Sequence, residues 1–109
     1  MVMETKTKLR KGQEAILDKA IELISPEGAW GKGDDITPPD DCLCLLTALS
    51  KAESMCGLGA FSKAGHAVEE LLASECGDSK LYGWNDHPDR TQQEVIDLLR
   101  RVRDNLNAN

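Results

Sequence analysis

Aromatic side chains are almost missing from this 109-residue chain, which has only Trp30, Phe61, Tyr82 and Trp84. β-Sandwiches and barrels fill their pleated faces with aromatic and β-branched residues, so the shortage points to helices packed through Leu, Ile, Val, Ala and Cys. Basic charge is also short, with thirteen Lys and Arg against nineteen Asp and Glu and a formal net charge of −6. A protein that holds nucleic acid by neutralising phosphates needs the opposite balance, which argues against general nucleic-acid binding. Long apolar runs are lacking too. The longest, Cys42 to Leu49, is eight positions broken by Thr47, whereas a bilayer span takes about 20. The first dozen residues are charged and contain no apolar stretch of a secretory signal, so the expected location is cytoplasmic with no membrane association.

Four cysteines, Cys42, Cys44, Cys56 and Cys76, are too sparse for a disulfide scaffold in a chain of this length. In a reducing compartment they are expected to be free thiols. A metal site drawn from them with His66 and His87 meets a geometric obstacle. On a helix, Cys42 and Cys44 point about 200° apart, and no second C-x₂₋₄-C knuckle follows. Neither a metal nor a cofactor is expected.

What remains is patterned for helices. Leu9, Ile16, Leu17, Ala20, Ile21 and Ile24 recur with helical spacing over about 8–25, Pro26 ends the pattern, and residues 1–7 read as a flexible basic arm. Residues 27–41 hold three Gly and two Pro and read as a long loop. A second helix over 41–54, capped by Asp40 or Asp41, is apolar nearly all round at its start and is expected to lie at the centre of the fold. Gly57 and Gly59 follow its end. A third helix over 61–75 turns Ala64, Ala67, Val68, Leu71 and Leu72 inward. Residues 78–90 form a second connector, extended over Leu81 to Trp84. Thr91-Gln-Gln-Glu94 is a capping box that starts a last helix with Val95, Leu98, Leu99, Val102 and Leu106 on one face and 105–109 as a frayed tail. The expected fold is all-α: one domain, a bundle of about four helices with two long Gly- and Pro-containing loops.

Both tryptophans lie in those loops beside glycines, in Gly28-Ala-Trp30-Gly31 and Gly83-Trp84-Asn85-Asp86. Each indole has two uses, docking on the bundle to supply apolar area or facing outward as a binding hot spot. Asn85 and Asp86 suit an Asx-turn, and Arg90 is placed to pair with Asp86 or Asp89. The run Trp84-Asn85-Asp86-x-Pro88-x-Arg90-Thr91-x-x-Glu94-Val95, with Trp30-Gly-Lys-Gly upstream, resembles a family of small uncharacterised bacterial and phage proteins. The resemblance covers about residues 15–102 and is most specific over 84–95. It implies a phage or mobile-element setting and brings no reaction with it.

Catalytic sets are thin. His66 reads as a partly covered surface histidine, and no serine sits in a nucleophile elbow. His87, surrounded by Asp86, Asp89 and Arg90, carries the enzyme or small-ligand alternative, with the 84–90 loop as a pocket. The basic N-terminal arm with Arg100, Arg101 and Arg103 carries a nucleic-acid-associated alternative. Residues 13–89 hold fifteen acidic and five basic residues, a net of −10 between two positive ends. Such a body complements a basic protein surface. The leading expectation is a non-enzymatic protein-interaction module, an inhibitor or adaptor, with no catalytic residues and with Trp30, Asp34, Asp35, Trp84, Asn85, Asp86, His87 and Arg90 as the candidate contacts to another protein.

Overall fold

Helical spacing of Ile16, Leu17, Ala20 and Ile24 makes one continuous apolar stripe, and all four are buried on α1 (Val2–Ile24). In the computed structural model the described residues are 2–31, 43–59 and 62–108, with the side chains of 2–8, 107 and 108 outside the description. Helix α1 starts at Val2, upstream of the expected start near Lys8. It is followed by α2 (Leu45–Met55), α3 (Lys63–Cys76), α4 (Leu81–Asn85) and α5 (Gln92–Ala108), and no strand occurs among the described residues. The all-α architecture is as expected, with one short helix more than the count of about four.

The centre is α1, not the second helix. Helix α1 contacts α2, α3 and α5. The expectation for α2 fails for a local reason: its helix begins only at Leu45, so the first three of the eight positions of the apolar run precede it, and Thr47, Ser50, Lys51 and Ser54 face solvent. What α2 buries is a single apolar stripe of Leu45, Ala48, Leu49 and Ala52, with Glu53 beside it. Close approach between α1 and α3 needs Gly12, because a Cβ there would stand 2.9 Å from that of Ala64.

The helix ends show where side chains replace missing backbone partners. The thiol of Cys44 caps α2 and accepts from the Thr47 amide at 3.4 Å. The expected caps, Asp40 and Asp41, lie outside the described residues. Ser62 caps α3 through the Gly65 amide at 3.0 Å, and Gly77 closes it with φ 76°, a conformation few residues other than glycine adopt. Leu71, expected inside, is 38% exposed. The expected extension over Leu81 to Trp84 is instead the turn of helix α4, which buries Leu81 and Asn85 four residues apart and leaves Tyr82 and Gly83 outside.

Before α5, Thr91 and Glu94 form the capping box. The Thr91 amide donates to Glu94 Oε1 at 3.0 Å, and the Glu94 amide to Thr91 Oγ1 at 3.2 Å. The Thr91 amide, with the Thr91 hydroxyl and Arg90 adding to it, holds the Glu94 carboxyl below its ordinary range. A carboxyl with a lowered folded pKa contributes stability that is present at neutral pH and lost as pH falls through that value. Thr91→Ala removes the hydroxyl that accepts from the Glu94 amide and is expected to lower stability by about 1 kcal/mol through the lost cap, as denaturant titration at pH 7 reads.

Between α1 and α5, Arg103 Nε donates to Asp18 at 2.7 Å and Nη1 lies 3.9 Å from Glu14. The like-charged Glu14 and Asp18, unfavourable within α1 alone, thus share a cation from another helix. Gln92 Nε2 reaches the carbonyls of Ile24 and Pro26 at 2.6 and 2.7 Å, fastening the end of α1 to the start of α5.

Candidate functional site

The tryptophan loops meet at Asn85. Its side chain is 1% exposed, and its Oδ1 accepts from both Trp30 Nε1 at 2.6 Å and the first amide of α2, Leu45, at 3.0 Å. Its Nδ2 donates to Asp86 Oδ1 at 2.9 Å and to the Gly31 carbonyl at 3.4 Å. Asn85 was expected in an Asx-turn bonding its own neighbours; it lies at the end of α4 and instead ties together segments some 40 to 55 residues away. Ala29 and Gly31 pair with Leu43 by two backbone hydrogen bonds, so Gly31 and Leu43 are held side by side near this asparagine. Asp34 and Asp35 lie outside the described residues.

Trp30 and Trp84 are both partly buried against the core. Arg90 covers one face of Trp84, its guanidinium carbon 3.8 Å from the ring centre, and Nε donates to the Trp84 carbonyl at 2.8 Å. The geometry is a cation–π stack reinforced by a hydrogen bond. Arg90 forms its ion pair with Glu94 at 3.0 Å rather than with Asp86 or Asp89. One chain of contacts therefore runs Trp84, Arg90, Glu94, Thr91, and it sets the angle at which α5 begins. His87 is exposed, and its Nδ1 accepts from the Asp89 amide at 3.1 Å. The 84–90 loop thus brings Trp84, Asn85, Asp86 and Arg90 together as structural partners, with His87 turned outward.

A different region is concave. Leu46, His66, Glu69, Glu70, Ala73, Leu81 and Tyr82 line an open groove of about 400 Å³ between α2, α3 and α4, with Ser79 and Lys80 at one end. Tyr82 is 56% exposed. His66 and Glu69 also line a second, more enclosed cavity of about 230 Å³, whose other walls are Ile16, Leu49, Ser50, Glu53 and Gly65. His66 is exposed, not partly covered, and its Nε2 lies 2.9 Å from Glu70 Oε1 on the same helix face. Glu53 is buried at 7% exposure, and its Oε2 accepts from the Ser62 amide at 2.9 Å and from the Ser62 hydroxyl.

Among the described residues no group of His, Cys, Asp and Glu is arranged to hold a metal. Cys44, Cys56 and Cys76 are free thiols, and Cys42 lies outside the described residues. No helix among the described residues is long and apolar enough to cross a membrane.

The profile of a family of unknown function, DUF6197, matches residues 10–105. The chain belongs to that family. No curated protein and no solved structure matches it. The part of this DUF6197 chain that matches the profile contains both the Asn85 cluster and the groove.

Sequence reasoning missed the groove because its walls come from three helices. One signal of the enclosed cavity beside it was readable: Glu53 follows Leu49 by four residues and so places a carboxylate on the apolar stripe of α2. Gly65 is the second half of that signal, since a Cβ there would collide with Glu53 Oε2.

Proposed function

We propose that this DUF6197 protein is a protein-interaction module, an adaptor or inhibitor of the phage or mobile-element kind, that docks a basic amphipathic segment of a partner protein in the groove between α2, α3 and α4. The observation that carries the reading is the half-exposed Tyr82 on a floor with Leu46, Ala73 and Leu81, beside the acidic edge of Glu69 and Glu70. Tyrosine in a concave apolar setting is a frequent anchor of binding energy, and acidic edges steer basic partners and reject acidic ones. The body charge of −10 over residues 13–89 acts in the same direction. Trp30, Trp84, Asn85 and Arg90 serve this surface indirectly, by fixing α4 and thereby Tyr82. Asp34 and Asp35 add to the acidic charge, and Asp86 and His87 lie next to α4.

Selection of displayed random peptides on the immobilised protein tests this. Lys- and Arg-rich sequences with apolar residues at helical spacing are the expected winners, with Tyr82→Ala weakening their capture about tenfold or more. Winners that are acidic, or that bind equally well to Tyr82→Ala and to Glu69→Lys with Glu70→Lys, overturn the proposal.

A further inference from the structure

The enclosed cavity beside the groove holds a carboxylate whose hydrogen bonding is half complete. Glu53 is more than nine-tenths buried, yet both donors it receives, the amide and hydroxyl of Ser62, go to Oε2. Oε1 has no protein donor, and it is not sealed from solvent, since no buried side-chain oxygen or nitrogen without a partner occurs among the described residues. The open space that Glu53 lines is the cavity of about 230 Å³ with Ile16 and Leu49 as apolar wall and Ser50, His66 and Glu69 as polar wall. Gly65 on α3 leaves room for the carboxylate where any side chain would collide with it. A buried carboxylate with one oxygen fixed and the other free is oriented before any ligand arrives, which removes part of the ordering cost of binding.

We infer that this cavity is a binding pocket for a guanidinium or primary ammonium group on a short apolar stem, with Glu53 Oε1 accepting from the cation, Glu69 adding negative charge at the mouth and Ile16 and Leu49 covering the stem. A cation satisfies the open oxygen with a charge-assisted hydrogen bond, the stronger class of such contacts. Size agrees: pockets for whole drug-sized ligands run from about 300 Å³ upward, and this cavity is smaller. His66 and Glu69 line both cavities, so the pocket adjoins the docking groove. The inference rests on the groove proposal only for the source of the cation, a lysine or arginine of the docked segment. A free alkylamine or alkylguanidine has the same chemistry.

Titration of the full chain with n-butylguanidinium and with blocked N-acetyl-arginine amide, followed by amide chemical shifts, tests the pocket. The expected result is saturable shifts at Ser50, Glu53, Gly65 and Glu69 with Kd of about 1 mM, reasonable for a fragment of this size. Glu53→Gln keeps an acceptor for Ser62 and is expected to weaken binding about tenfold. Glu69→Gln, at an exposed position that does not hold the fold, is expected to weaken it by a smaller factor. Binding by both probes assigns the cation to a partner side chain; binding by butylguanidinium alone supports the pocket with a free ligand. No shift up to about 10 mM, or equal affinity in the folded Glu53→Gln and Glu69→Gln variants, overturns the pocket. Failure of the small cations leaves a positive peptide selection standing, and failure of peptides with success of the cations removes the groove and keeps the pocket.

Discussion

Asn85→Ala is expected to lower the stability of the protein by about 3–5 kcal/mol, enough to move the thermal midpoint by more than about 10 °C. The side chain is 1% exposed and accepts from two donors, the buried Leu45 amide and the indole of the partly buried Trp30. Each buried donor left without a partner costs about 1–3 kcal/mol. Loss of the bonds to Gly31 and Asp86 and the small void left behind add to this. Urea titration measures the change, and an unchanged slope would show that the cost falls on the native state rather than on unfolded compactness. A loss below about 1 kcal/mol would remove Asn85 from its place as the joint between the two loops.

Asn85→Asp separates the acceptor role from the donor role. A carboxylate still accepts from Trp30 and Leu45, but it faces Asp86 Oδ1, which now receives a hydrogen bond at 2.9 Å. Two carboxylates in contact raise each other's pKa, so one proton is retained by the folded variant at a pH where the unfolded chain has released it. Groups with a raised folded pKa lose their stabilising effect as pH rises. The aspartate variant is therefore expected to be closest to wild type in mild acid and to fall away towards neutral pH, while the alanine variant shows the same deficit at both.

The same residue shows why the site was less legible than the fold. The all-α class and the Thr91–Glu94 box follow from contacts within four residues, and sequence spacing reports those directly. Asn85 looked like a turn residue because its local neighbours, Gly83, Asp86 and Pro88, are turn residues. Its partners are 40 and 55 positions away, where no periodicity points. The short α4 was hidden for the same reason. Five residues with a central glycine have weak helix propensity, and what fixes them is burial of Leu81 and Asn85 against the other helices. The groove stands one step further from the sequence, since it depends on where α4 places Tyr82 relative to α3.

Misplacement of the centre has a physical cause that a pair of substitutions exposes. The run from Cys42 to Leu49 is the densest apolar stretch in the chain, and density drew the expected core to α2. Burial follows extensive contact with several elements at once, and α1 packs along α2, α3 and α5. Leu17 is fully buried on α1, so Leu17→Ala opens a void whose walls belong to different helices and cannot all close on it. Its expected cost lies in the upper part of the 2–5 kcal/mol range, about 4 kcal/mol. Leu71 sits on α3 and is 38% exposed. Leu71→Ala removes the same atoms from a helix with nearly the same intrinsic propensity, and its expected cost is about 0.5 kcal/mol. Denaturant titration of the two variants under one set of conditions reads the difference directly. Equal costs would mean that α3 presents the other face to α1, and would carry Glu69 and His66 away from the groove along with Leu71.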